Sequence, residues 1–416
     1  MNVSSDRLRD DIEANAAFGE LATDEGRGRT VLTGSDANAD ARDYFVSRLE
    51  DAGLDVRVDS VGNVVGRWTP DAADPDAAPV AAGSHLDSVP EGGIFDGPLG
   101  VYAALESVRT MQDERVELAR PVEVVCFTEE EGQRFAGGLL GSSVASGLVE
   151  LDDALALTDD DGATLESALE EMGYRGEGLV DASEWDSWLE LHIEQGTRLE
   201  DAGIPVGVVT DVTGIFHCEV EIRGEADHAG STPMPGRRDA LAAASELVLD
   251  VEREANEIVE TESDSAVGTV GKVNVAPNAT NVIPGRVELG IDIRDVEAAS
   301  ISRQTARVKE VCERLERERD VETTFETHLD VSPVPLSERC VEAVRAGADD
   351  AGFDCMTLHS GAAHDTQRVA KATDAGMLFS PSRDGISHNP LEWTDWDDCA
   401  AAASALAGGL RELASE

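Results

Sequence analysis

Hydrophobic positions recur along this chain with two periods, and the organisation changes where the period does. Over 39–52 they fall at helical spacing, and Gly53 ends the run. Apolar stretches at 54–58 and 61–68 predict short strands, and the acidic, alanine- and proline-rich stretch 70–79 predicts a surface loop. A strand over 79–83 then leads into Ser84, His85, Leu86 and Asp87. A glycine-rich loop follows to Gly100, then a helix over 101–111 and a buried strand over 122–127 carrying Val122, Val124, Val125 and Phe127. Strand, loop, helix, strand is the pattern of a parallel sheet covered by helices. Residues 188–194 alternate: Leu189, Leu191 and Ile193 point one way, and Glu190, His192 and Glu194 the other.

Near residue 211 the pattern changes. Strands are predicted at 218–223, 266–275 and 286–293, and long amphipathic helices at 239–258 and 298–318. Two helices on one face of a mostly antiparallel sheet make an α+β domain. After Pro333 and Pro335 the α/β pattern returns. The expected architecture is an α/β domain in two parts, 1–211 and 329–416, interrupted by a smaller α+β domain at 212–328.

Composition adds a constraint on setting. Among 416 residues, 33 Lys and Arg stand against 85 Asp and Glu, a net charge of −52, with 41 % hydrophobic residues. That apolar content and the strand and helix patterns argue against an acidic disordered chain. The acids are spread along the whole length, and only three lysines occur, Lys272, Lys309 and Lys371. This resembles the proteins of salt-loving archaea, whose cytosol holds concentrated salt. At about 1 M salt the Debye length falls to ~3 Å, so self-repulsion is screened. Nucleic acid and anionic membranes demand basic patches and are not expected as partners. No apolar run approaches the ~20 residues that span a bilayer, and residues 1–11 hold no signal-peptide stretch, so a cytoplasmic protein is expected. The six cysteines, Cys126, Cys218, Cys312, Cys340, Cys355 and Cys399, stand far apart without a CxxC pair and predict buried reduced thiols.

Four stretches carry candidate chemistry. His85 ends a predicted parallel strand, where open α/β sheets place their sites. Asp87, two residues on, could hold the second nitrogen of its ring, and Asp96 sits in the glycine-rich loop. Glu129, Glu130 and Glu131 follow the apolar strand directly, and three adjacent carboxylates at a strand end are costly to bring together without a cation. His192 and Gln195 lie in Leu-His-Ile-Glu-Gln-Gly, and His388 in Ser-His-Asn-Pro after the strand-like 377–379. Histidine, Asp and Glu together are the ligand set of a hydrolytic two-metal centre.

The order GSHLDSV, GGIFDG, TEEEGQRF, LHIEQG, ADHAGSTPM, NVIPG, DIRD, SHNP resembles the zinc-dependent amidase/hydantoinase/carbamoylase family from roughly residue 15 to the C-terminus. That family is a branch of the co-catalytic metallo-aminopeptidase-like hydrolases. It includes N-carbamoyl-L-amino-acid hydrolases, β-ureidopropionases and allantoate amidohydrolases. The resemblance implies a metallo-aminopeptidase-like α/β catalytic domain with the α+β insertion serving as dimerisation and lid domain. It implies two divalent ions per subunit, zinc or else manganese, cobalt or nickel. One would be held by His85 and His192 and the other by Glu131 and His388, with Asp96 bridging. Glu130 would be the general base, Glu129 the spare acid, and Asp87 the orienter of His85.

The same resemblance makes His228 the donor to the tetrahedral oxyanion, reaching the active site of a partner subunit in a homodimer. Arg294 would clamp a substrate carboxylate with two prongs, with Gln195 and Asn281 as further polar contacts. The chain departs from the family's SGAGHDA at Ala363 and Thr366, and an extra methyl beside the substrate would narrow the pocket or shift the backbone; His364 is retained. The expected reaction is hydrolysis of a linear C–N bond in an N-carbamoyl-L-amino acid or β-ureido acid, giving amino acid, ammonia and carbon dioxide. Allantoate is the alternative substrate. A peptidase is disfavoured by His192, where most peptidase relatives carry a carboxylate.

Overall fold

The computed structural model describes residues 1–23, 25–135 and 137–416. They form two compact units, Met1–Thr210 with Leu336–Glu416, and Asp211–Pro335. In the first unit, helices Ser5–Asn15 and Asp36–Asp51 precede strands β1 (Asp55–Val58), β2 (Val64–Trp68) and β3 (Val80–His85). Helix Pro98–Glu114 then crosses to β4 (Val122–Phe127), and β5 (Ser187–Ile193) and β6 (Val206–Val212) follow. Proline at the first helical position suits Pro98, whose missing N–H is not needed there.

The second unit holds β7 (Gly214–Arg223), β8 (Val267–Ala276), β9 (Arg286–Asp295) and β10 (Glu322–Val331), with helices Ala240–Thr261 and Ala298–Arg319. All its strand pairs are antiparallel, in the order β10-β7-β9-β8. The helices cover one face through Leu247, Val251, Val308 and Leu315, packed with Val220, Ile222, Leu289, Ile291 and Ile293 of the strands. Between the helices, nearly buried Asp250 accepts from Arg253, Arg307 and Arg314. β10 was not anticipated, because as a polar, largely exposed edge strand it carries no alternating apolar signal.

The chain returns with β11 (Val334–Pro335), β12 (Cys355–Ser360), β13 (Asp374–Ser380) and the C-terminal helix Trp396–Ala414. The larger sheet runs β1-β2-β4-β3-β5-β13-β6-β11, with β12 on β6. Its centre is parallel and its flanks antiparallel, so the sheet is mixed. From β3 the crossover helix leads to β4 on one side, while β5 lies on the other. This is the switch point at which such sheets open a crevice beyond their strand ends. β3 stays paired with β4 up to His85↔Phe127, but its pairing with β5 stops at Ala82↔Leu189.

All seven residues of β5 are buried, so the alternation of 188–194 separates two interior faces and not an inside from an outside. Helix Pro98–Glu114 comes so close that a methyl on Gly100 would lie 2.2 Å from the Leu191 carbonyl oxygen. The six cysteines are free, five buried and Cys355 half-buried. Among the described residues no helix is long and apolar enough to cross a membrane.

Candidate metal centre

The switch point collects groups from five segments. β3 ends on His85 and β5 carries His192 one residue before its end. Asp96 sits in the loop between β3 and its helix, where the buried Glu392 carboxylate accepts the backbone N–H groups of Phe95 and Asp96, at 2.9 and 3.0 Å. Gly97 has φ +82°, and a methyl there would lie 2.6 Å from the His85 ring, so this turn needs glycine. Glu130 and Glu131 follow β4, and His388 follows β13.

Asp96 faces two groups at once. Its Oδ1 lies 3.5 Å from His85 Nε2 and 3.2 Å from His192 Nε2. Its Oδ2 lies 3.6 Å from His388 Nε2, which is 3.4 Å from Glu131 Oε2. His85, Asp96 and His192 thus offer three atoms within 4.8 Å of one another, and so do Asp96, Glu131 and His388. Glu130 Oε2 stands 3.7 Å from His85 Nε2. The rings are oriented from behind: His85 Nδ1 meets the Asp87 carbonyl at 3.1 Å and His192 Nδ1 the Ile193 carbonyl at 3.0 Å. A carbonyl only accepts, so each Nδ1 carries hydrogen and Nε2 faces Asp96; burial would lower His192, but Asp96 favours a proton there and raises it to about 9.

Negative charge is packed here more densely than its neighbours neutralise. Burial pushes Glu130 well above the usual carboxylate range against the pull of His85, and Asp365 and Glu131 add to the push. Burial and Asp96 raise Glu131 to about 8 and Glu392 to about 7. Asp96 goes the other way: burial would raise it, but His192 and His85 hold it well below the usual range. His85 Nε2 is buried with no hydrogen-bond partner. An orphaned ring nitrogen, crowded acids and a shared carboxylate without thiolates fit a divalent cation that takes imidazole and carboxylate ligands, such as zinc or manganese.

The supporting contacts differ from expectation at three residues. Asp87 meets His85 through its backbone carbonyl, with its carboxylate 3.8 Å away; that carboxylate instead accepts the N–H groups of Glu130 and Glu131 at 3.3 and 3.1 Å. Gln195 donates its amide to Asp96 Oδ2 and Ser387 Oγ, at 3.0 and 2.9 Å, so it braces a carboxylate, while its Oε1 has no hydrogen-bond partner. Thr366 is fully buried, with its hydroxyl bonded to Glu190 and Trp188, so its methyl narrows no pocket. Ala363 is half-buried beside His364, whose ring centroid lies 4.6 Å from that of His192. Burial and His192 hold His364 well below the usual histidine range, so it stays neutral. Glu129 is tied up by the N–H groups of Arg134 and Phe135.

Sequence reasoning missed Glu392 and Ser387, although both flank His388 within five residues. It also missed the left-handed backbone of Glu129, Gln195 and His388, at φ 56°, 57° and 56°. Such non-glycine strain gathers at functional sites.

Comparison with known proteins settles the lineage. Residues 81–412 match the peptidase family M20/M25/M40. The chain belongs to this family. An N-carbamoyl-L-amino acid amidohydrolase of Geobacillus stearothermophilus is 40 % identical over 401 residues, 95 % of this chain and 96 % of that one. An allantoate amidohydrolase of Bacillus subtilis (strain 168) is 34 % identical over 414 residues, 98 % and 97 % of the two chains. The crystal structure of an amidase of the hydantoinase/carbamoylase family from Burkholderia multivorans superposes with a TM-score of 0.94 at 37 % identity, covering 100 % of this chain and 99 % of that one.

The remaining candidates of this M20 chain lie in the second unit. His228 is exposed, and its Nδ1 accepts the N–H groups of Gly230 and Ser231 at 3.0 and 3.1 Å. The ring hydrogen therefore sits on Nε2, a donor. Asn281 is its neighbour across the loop pair, its carbonyl accepting Ala229 N–H at 2.9 Å. Arg294 closes a fork on Asp292, with Nε–Oδ1 and Nη2–Oδ2 both at 3.0 Å.

Proposed function

We propose that this chain hydrolyses the terminal C–N bond of N-carbamoyl-L-amino acids or β-ureido acids, releasing amino acid, ammonia and carbon dioxide. The observation that carries the reading is the two-faced Asp96, with His85 and His192 on one oxygen, His388 and Glu131 at the other, and Glu130 beside them. Two divalent ions bound there would supply Lewis acidity and a lowered pKa for water.

Glu130 would take the proton of the attacking water, and its burial suits a base that must hold the proton and hand it on. As the bond between the carbamoyl carbon and terminal nitrogen breaks, Glu130 would deliver that proton to the departing nitrogen, which leaves as ammonia. The remaining carbamic acid loses carbon dioxide. His228 would donate from Nε2 to the oxyanion, serving the centre of a second subunit in a homodimer. Arg294 would exchange Asp292 for the substrate carboxylate, with Asn281, Gln195 and the backbone at Ala363 as further contacts. Residues 212–328 would be the dimerisation and lid domain.

The charge of −52 and three lysines support a protein of a salt-rich cytoplasm. The assay is ammonia release in ~2–3 M KCl, where self-repulsion is screened, with zinc, manganese, cobalt or nickel added. N-carbamoyl-L-amino acids, N-carbamoyl-β-alanine and allantoate are offered in parallel. Turnover of allantoate alone would favour the second reading, for which the allantoate amidohydrolase relative speaks. No turnover of any of them with any metal would refute both. Light scattering in the same buffer gives the subunit number, and a monomer would remove His228 from the mechanism.

A further inference from the structure

We infer that Glu190 is a positioning residue which, through Ser84 and Thr366, sets the spacing of His85 and His192 and so the affinity of the ion they share. The inference rests on the metal-centre reading above. Its starting point is the gap at the switch point. Backbone pairing of β3 and β5 ends at Ala82↔Leu189, below the two histidines. Above that level, Ser84 Oγ donates to Glu190 Oε1 at 2.9 Å. This bond links the two strands where their ladder has stopped.

The other oxygen of Glu190 reaches a third segment. Oε2 accepts the Thr366 backbone N–H at 2.8 Å and the Thr366 hydroxyl at 2.7 Å, and that hydroxyl accepts Trp188 Nε1–H at 2.8 Å. Thr366 opens the short helix Asp365–Val369, directly after His364, whose ring packs on His192. Ser84, Trp188, Glu190 and Thr366 are all 0 % exposed. One carboxylate thus ties the residue before His85, the strand face that carries His192 two places on, and the turn behind His364.

A buried acid held only by neutral donors is an expensive way to fill space, and an apolar side chain would pack there at lower cost. Among the described residues no lysine or arginine pairs with Glu190, and His192, on whose ring its charge acts, makes no bond to it, so a direct ion pair does not explain it. Its directional bonds do: they fix three backbone segments that apolar packing would let slide. Nε2 of His85 and of His192 approach the same Asp96 oxygen at 3.5 and 3.2 Å, and small shifts between strands would spoil that convergence. Partners behind metal ligands typically govern affinity by ~10–100-fold.

The test is chelator competition with cobalt(II) on stripped full-length protein, comparing wild type, Glu190→Gln, Ser84→Ala and Thr366→Ser, with near-ultraviolet circular dichroism confirming folding. Glu190→Gln should weaken one of two cobalt sites by ~10–100-fold, change its visible absorption, and leave the other site near wild type. Ser84→Ala should do the same to a smaller degree, and Thr366→Ser, which keeps the hydroxyl, should retain wild-type binding. Wild-type affinity in folded Glu190→Gln, or equal weakening of both sites, would overturn the inference and leave Glu190 a folding residue. If Glu190→Gln does not fold, Ser84→Ala decides by the same selective loss or its absence. Wild type taking up no cobalt would instead sink the metal-centre reading itself, and this inference with it.

Discussion

The carboxylate of Asp87 accepts the backbone N–H of Glu131 at 3.1 Å, while its own carbonyl faces the His85 ring. One residue therefore couples the end of β3 to the turn after β4. Asp87→Ala should release the Glu130–Glu131 turn and lower both turnover and affinity at the Glu131–His388 site, by ~10–100-fold for the latter. Asp87→Asn keeps an acceptor oxygen and should lose less. Equal losses in the two variants, read by metal titration, would mean that charge and not geometry matters at this position.

Glu130→Gln should bind metal as wild type does and turn over ~10²–10⁴-fold more slowly, since an amide accepts no proton. Metal content by elemental analysis, beside kcat, separates the two effects. Retained activity would leave the base unidentified, because Glu129 is bound to Arg134 and Phe135 and is not free to replace it.

Arg294 already holds a carboxylate, that of Asp292, in the forked geometry expected for a substrate. A charged hydrogen bond is worth ~1.5–3 kcal/mol, so Arg294→Ala should raise KM by roughly 10–100-fold for N-carbamoyl acids. The N-carbamoyl amino-acid amide is the control and should be unaffected by the substitution. Equal slowing of acid and amide would move Arg294 from recognition to folding of the second unit.

Stability has its own pH signature at Glu123, far from the centre. Burial would raise this carboxyl, but Arg57, Trp185 and Arg67 outweigh it and hold it below the usual value. A depressed acid stabilises the fold above its unfolded pKa, and the contribution fades as pH falls through the folded value. Glu123→Gln should therefore cost about 2 kcal/mol near neutrality, a charged hydrogen bond's worth, and the gap to wild type should close on acidification. Denaturant melts followed by tryptophan fluorescence measure this, and a gap that widens in acid would contradict the assignment.

The acidic surface predicts a salt requirement. Melting temperature should rise steeply from about 0.1 M to about 3 M KCl as the Debye length shrinks. Equal melting points at the two concentrations would remove the halophilic setting and leave the hydrolase reading intact.

Local pattern along the chain was enough for the elements that repeat with a clear period and for the residue types that meet a cation. Buried β4 is apolar except for Glu123, and the helices at 240–261 and 298–319 show one wet face, so local pattern sufficed. Polar β10 escaped notice because an exposed edge strand need not alternate. What each polar side chain is bonded to depends on the folded arrangement. Asp87 turns its carboxylate to the glutamate turn, Gln195 braces Asp96, and Thr366 fills a bond to Glu190, because residues 44, 99 and 176 positions apart meet at the strand ends. Periodicity reports which face a residue occupies. Hydrogen-bond partners are set by the register of strands and the turns of loops, and a one-dimensional pattern carries neither.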